Sequence, residues 1–157
     1  MTSHSQRRTV PVPATTIFDL VADVERYPDF LSLWRRARVY AREENGYFTE
    51  QEIGLGPIRE RFRTHTRLSR PDYIDITSID PLFKTFRIRW DFSSIRDGAG
   101  VDVTIAMTWE VSSRLLQKGI EAMLPATATR MVSAFEERAR AVHRRTRIGP
   151  GMRSDRD

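Results

Sequence analysis

Two neighbouring runs in the second half of the chain limit the fold more than any other feature. In residues 86–92, Phe86, Ile88, Trp90 and Phe92 alternate with Arg87, Arg89 and Asp91. In residues 101–111, Val101, Val103, Ile105, Met107, Trp109 and Val111 alternate with Asp102, Thr104, Thr108 and Glu110. Successive side chains of a strand point to opposite faces, so each run makes a strand with one dry and one wet face. Asp97-Gly98-Ala99-Gly100 turns the chain between them. Strands of this kind belong to an antiparallel sheet covered on one side only.

The residues that follow supply the cover. Ser112 or Ser113 is a natural cap for a helix running to about Val142. Leu116, Ile120, Met123, Leu124, Met131, Phe135, Ala139 and Val142 form its apolar stripe. Such a helix is roughly 45 Å long at 1.5 Å per residue. Gly119 and Pro125 lie inside it and predict a kink or break near Leu124-Pro125.

Upstream, residues 5–12 read as a first strand. Ile17, Phe18, Val21 and Val24 then recur at helical spacing, and a second short helix or turn spans residues 25–33. Strands are predicted over 34–43, 47–55, 58–68 and 73–79. Glu44-Asn45-Gly46 is a hairpin turn, with Asn-Gly suited to positive φ. Gly54, Gly56 and Pro57 mark a bend or bulge. The reading is α+β: a curved antiparallel sheet of about six to seven strands wrapped on a long C-terminal helix, with two short helices after the first strand. A sheet so wrapped, with short helices plugging one end, leaves room for a central cavity.

A chain of 157 residues suits one domain, placed here at 1–142. It can bury a core without disulfides or metals, and it has no cysteine. No run is long and apolar enough for a membrane span, and the first residues lack the apolar segment of a secretory signal. A cytoplasmic protein, peripheral at most to the inner face of a membrane, is expected. Net charge is +5, of which the stretch from His143 to Asp157 carries +3. That stretch has almost no apolar residues and is expected to be a basic, disordered tail. The charge left on the domain is small for a nucleic-acid binder, and no DNA partner is expected.

The segment from Phe18 to Leu31, FDLVADVERYPDFL, followed by Arg35-Arg36-Ala37-Arg38-Val39, is similar to the signature of the coenzyme Q-binding START-like proteins. These belong to the wider group of polyketide cyclases and StAR-related lipid-transfer domains. Ile53-Gly54-Leu55-Gly56 leading to Phe62 resembles the family's glycine-containing strand pair. Asp80-Pro81-Leu82-Phe83-Lys84 leading to Trp90 and Phe92 resembles its Gly-Pro-Phe and Trp-x-Phe segment, with Asp80 and Leu82 in place of Gly and Phe. Ser32, Leu33 and Trp34 stand where the family commonly has Pro, Trp and Cys. The resemblance spans residues 5–142. It implies a helix-grip fold of the START-like or Bet v 1-like kind. It implies non-catalytic chaperoning of ubiquinone or a related isoprenoid lipid in support of respiratory electron transport, with transient membrane contact and no required cofactor. Bacterial relatives of the family are ribosome association toxins, which makes the ribosome a second expected partner. Polyketide aromatase/cyclases share the fold more remotely.

The candidate ligand site follows from the inward faces. Trp90, Phe92, Met107 and Trp109 would face Leu116, Ile120, Met123 and Leu124 of the long helix. Phe18, Leu55 and Phe62 complete the walls, and Tyr27, Phe30, Leu31 and Trp34 form the mouth. Aromatic and Met walls suit a flat ring or an isoprenoid tail. The same stripe would equally fill a packed core. Glu60 shares the parity of Ile58 and Phe62 and so points inward, unless a bulge after Pro57 turns it to solvent. Buried, it would hydrogen-bond a ligand hydroxyl or head group, with Thr64 or Tyr27 beside it.

The opposite faces hold Arg59, Arg61, Arg63, Arg67, Arg87 and Arg89. They suit either an RNA or ribosome contact or a salt-bridged outer surface, because Glu50, Glu52, Asp75, Asp91, Asp102 and Glu110 lie on neighbouring strands. Arg35, Arg36 and Arg38 beside the mouth suit anionic lipid head groups. No enzyme is expected. His4 and His143 lie near the chain ends, His65 lies on the Arg-rich face, and neither metal-ligand spacing nor a phosphate-binding glycine motif occurs. No catalytic or metal-ligating residue is assigned.

Overall fold

The computed structural model describes residues 2–153, without the side chains of Leu55, Ile120, residues 123–125 and residues 147–153. The chain runs β1 (Thr2–Val10), α1 (Ala14–Ala22), a 3₁₀ turn (Val24–Asp29), then β2 (Trp34–Glu43), β3 (Gly46–Leu55), β4 (Ile58–Ser69), β5 (Tyr73–Thr77), β6 (Phe83–Ile95), β7 (Gly100–Val111) and α2 (Arg114–Arg153). The seven strands form one antiparallel sheet in the order β1-β7-β6-β5-β4-β3-β2. Every pairing but β1 with β7 joins consecutive strands, so short turns suffice. The helix-grip architecture expected from the sequence is the one observed.

The alternating runs behave as their pattern requires. Val101, Val103, Ile105, Met107, Trp109 and Val111 are all buried on the face of β7 turned to α2. Ser113 is the cap of α2: its Oγ accepts from the Leu116 amide at 3.3 Å. Phe135 of α2 is 1% exposed and stands edge-on to Tyr27 at 5.3 Å, Phe30 at 5.2 Å and Trp90 at 5.2 Å. This one side chain joins helix, 3₁₀ turn and sheet. Burying such a ring contributes roughly 1.5–3 kcal/mol.

Four expectations need correction. First, β1 begins at Thr2 instead of residue 5, because its inward residues are polar and give no hydrophobic signal. They meet α2 through hydrogen bonds: Thr2 Oγ1 donates to Glu121 at 2.7 Å and Arg8 Nη1 donates to Ser133 at 3.0 Å. Second, α2 passes through Gly119 and Pro125 as one helix, without the predicted break. Proline removes only one amide donor there, and the flanking turns carry the helix past it. Third, the helix continues beyond Val142 to Arg153, where a disordered tail was expected. Arginine is a good helix former, and Thr146 Oγ1 donates back to the Val142 carbonyl at 3.0 Å; residues 154–157 lie outside the described residues. Fourth, Gly46 does not serve a positive φ. A Cβ there would come 2.3 Å from the Thr66 carbonyl oxygen, so glycine is needed for close approach of β4.

Candidate functional site

Phe135 belongs both to the buried core and to the wall of a cavity of about 200 Å³. Elsewhere in the core, Phe18 of α1 packs edge-on to Phe92 at 5.7 Å. Trp90, Met107, Trp109, Phe86, Phe62, Ile58 and Glu60 are among the other residues of the cavity wall.

Of the residues singled out from sequence, Tyr27, Trp34, Glu60, Phe62, Trp90, Met107 and Trp109 line this cavity. Phe18, Leu31 and Phe92 are buried in the core and lie outside this lining. Phe30 is half-buried against the Phe135 ring and outside the lining. Leu116 is half-buried and also outside it, near the start of α2, where Leu115 is 84% exposed. The side chains of Leu55, Ile120, Met123 and Leu124 lie outside the described residues.

Other lining residues were not assigned to the ligand site from sequence. Phe86 and Ile88 share the parity of Trp90 and were within reach of the same-face rule. Phe83 was not, because the β6–β7 register shifts between Phe83 and Thr85. That irregularity turns Phe83 inward, where its ring meets Phe86 at 4.6 Å and Phe62 at 5.5 Å.

Polar groups enter the cavity wall on β3 and β4. Thr49, Gln51, Thr64 and Thr66 are all buried. Gln51 Nε2 donates to Thr49 at 2.9 Å and Thr64 at 3.3 Å, and Gln51 Oε1 accepts from the Trp34 indole at 2.7 Å. The Thr49 and Thr64 hydroxyls are 2.5 Å apart. This network satisfies groups that would otherwise destabilise an apolar interior. Tyr27 donates its hydroxyl to the Val21 carbonyl, and burial pushes its phenol well above the ordinary range. Tyr47 donates to the Ala22 carbonyl at 2.6 Å; burial pushes its phenol up to about 12, against the opposing pull of the Thr66 hydroxyl. Both phenols are neutral structural ties at ordinary pH.

The β3–β4 register is unbroken from Gly46 opposite Arg67 to Leu55 opposite Ile58. No bulge turns Glu60 away, so it keeps inward parity and faces the cavity half-buried. The outer face is arranged differently. Arg38 pairs with Glu50, Arg61 with Glu52, Arg63 with Asp80, Arg87 with Asp75, and Arg89 with Asp75 and Asp91. Among the described residues, Arg59 and Arg67 stand exposed without an ion-pair partner. His65 stacks on Phe48 at 4.3 Å on this outer face, away from the cavity.

Comparison with known proteins agrees with this geometry. The family described as polyketide cyclase / dehydrase and lipid transport matches residues 10–136. A ribosome association toxin of Pseudomonas aeruginosa is 28% identical over 91% of this chain and 99% of its own length. The mitochondrial coenzyme Q-binding protein COQ10 of Dictyostelium discoideum is 24% identical over 80% of this chain and 63% of its own. The Zhui aromatase/cyclase of Streptomyces sp. R1128 superposes with a TM-score of 0.79 at 13% identity, over 94% of this chain and 97% of that one. With the family model covering all but the ends of the sheet-and-helix domain, this chain belongs to the polyketide cyclase / dehydrase and lipid transport family.

Proposed function

We propose that this chain is a non-catalytic carrier of a hydrophobic small molecule, of the ubiquinone or isoprenoid-lipid kind, acting at the inner face of a membrane in support of respiratory electron transport. The observation that carries the reading is the cavity between sheet and α2, whose described lining holds all three tryptophans of the chain. At about 200 Å³ it is smaller than the roughly 300–1,000 Å³ of full ligand pockets, so it suits a ring and the start of a chain. The rest of a polyprenyl tail would lie outside it. The name of the Dictyostelium relative supports the same ligand class. Among the described residues, no helix is long and apolar enough to cross a membrane.

A cyclase would need polar groups against its substrate. Glu60, Thr64 and Tyr27 do face the cavity. The Tyr27 and Thr64 hydroxyls are engaged in the bonds described above, so Glu60 alone would have to do the chemistry. The carrier reading is tested by native mass spectrometry of the protein from its own host, followed by organic extraction. A quinone or isoprenoid mass at near-stoichiometric level supports it; an empty protein does not.

The names of the bacterial relatives favour a second reading, a ribosome-associated regulator acting through the outer sheet face. Its arginines are mostly spent on carboxylates, which weakens that reading. Sedimentation with ribosomal subunits decides: phosphate-driven binding falls steeply between about 50 and 200 mM salt. Absent or salt-insensitive association would remove it.

A further inference from the structure

Glu60 is the one charged side chain among the described residues that line the cavity. Among the described residues it has neither a hydrogen-bond nor an ion-pair partner. Its neighbours differ: Glu52 on β3 has Arg61, and Asp80 has Arg63. None of the cavity's other polar side chains hydrogen-bonds to it, and most of their donors are engaged elsewhere. Trp34 gives its N–H to Gln51, Gln51 gives both of its donor contacts to threonines, and Tyr27 and Tyr47 donate to backbone carbonyls.

A carboxylate is an acceptor only. Half-buried in the free protein, it keeps contact with solvent water. A ligand filling the cavity displaces that water, and the carboxylate then requires a donor from the ligand. A quinone carbonyl or an ether oxygen is itself an acceptor and cannot supply one. A phenolic or hydroquinone O–H can. An ammonium group would also donate, but a cation must give up its hydration to enter a wall that is otherwise apolar or neutral, whereas a neutral hydroxyl loses far less, so the site favours a neutral donor.

We propose that Glu60 selects hydrophobic ligands whose ring carries a hydroxyl, the phenol or hydroquinone class, over the matching quinone or methyl ether. The proposal rests on the reading of the cavity as a ligand site.

The test is isothermal titration calorimetry of the full-length protein with 4-octylphenol, 4-octylanisole and 2-octyl-1,4-benzoquinone. The expected result is that the phenol binds about tenfold or more tightly than the other two, the scale of a hydrogen bond to a charged acceptor. Glu60→Gln supplies an amide donor, so it should raise affinity for the ether and the quinone and bring the three within about threefold. Glu60→Leu should raise affinity for the ether alone to that of the phenol. Equal binding of the three by the unaltered protein, or a ratio unmoved by both substitutions, overturns the selection by Glu60 and leaves the cavity reading standing. Binding of none of them up to their solubility overturns both.

Discussion

The Trp34 indole donates to Gln51 Oε1 at 2.7 Å, and this bond ties the first residue of β2 to the polar ladder on the cavity wall. Through Gln51 Nε2 the same amide holds Thr49 and Thr64. Gln51 is therefore the hub of the network, and Trp34 takes its place on the wall from it.

Replacing the hub should be costly. Gln51→Leu leaves the Trp34 N–H without its acceptor and removes a donor from each threonine. A stability loss of about 1–3 kcal/mol is expected in urea denaturation. A Thr49→Val and Thr64→Val double variant strands the buried Gln51 amide without either acceptor, so it should lose a similar amount. A loss under about 0.5 kcal/mol in both variants would show that the ladder is not what holds β3 and β4 in place here.

Phe135 should be the most sensitive position of α2. Its ring contacts Tyr27, Phe30 and Trp90 at once. Phe135→Ala should cost about 3–5 kcal/mol, and Phe135→Leu distinctly less, by chemical denaturation. A loss under about 1 kcal/mol for the alanine variant would mean that helix and sheet are not joined through this residue.

How much of this was legible depends on the strand. β6 and β7 announced themselves, because their inner faces are apolar and their outer faces charged. Sequence left Glu60 two places, inward by parity or turned to solvent by a bulge after Pro57, and the β3–β4 register has no bulge there. β3 was harder to read. Its inward residues include Thr49 and Gln51, so a polar pattern marks the inner side, and only the partners across the sheet reveal why. Phe83 was hidden by a register shift that parity cannot foresee. Phe92 and Trp90 share one face and one strand, so parity cannot tell that Trp90 lines the cavity and Phe92 does not.

The buried phenols predict alkaline sensitivity. The Tyr47 phenol titrates at its ordinary 10.0 when unfolded, and burial pushes it up to about 12 when folded. Between those values the unfolded chain has lost a proton that the folded chain keeps, so stability falls as pH rises through that window. The loss amounts to roughly 2–3 kcal/mol for two pH units. Tyr27 is shifted in the same direction and adds to it. Tyr47→Phe should flatten part of the slope above pH 10, read as urea midpoints against pH. An unchanged slope would mean that this phenol is accessible in the folded state.

All three tryptophans line the cavity, so intrinsic fluorescence should report its occupancy without a label. Titration with a short-chain benzoquinone, a contact quencher, should extinguish most of the emission saturably. Methionine at position 107 faces the same space. Met107→Trp should therefore add a fourth quenchable emitter, with little change in fold if the space is as open as described. Saturable quenching that leaves most of the emission intact would place the ligand elsewhere.

The membrane contact that the proposed carrier needs would fall where exposed apolar and basic side chains meet. Ile79 is fully exposed at 102% and Leu115 is exposed at 84%. They belong to neighbouring segments, because the Ser112 amide donates to the Leu82 carbonyl at 2.8 Å and the Ser112 hydroxyl to Pro81 at 2.8 Å. Lys84, Arg114 and Lys118 are exposed on the same segments. Each basic residue near an anionic bilayer contributes about 1 kcal/mol, and each inserted aliphatic side chain about 1.5–3 kcal/mol. Flotation should therefore show binding to phosphatidylserine-containing vesicles and much weaker binding to phosphatidylcholine alone. Ile79→Asp and Leu115→Asp should each reduce binding about tenfold while leaving the melting temperature unchanged, since neither side chain is packed. Ligand transfer to vesicles should slow in the same two variants. Binding that survives both substitutions would place the membrane contact on another face, and with it the route by which a lipid reaches Trp34 and Glu60.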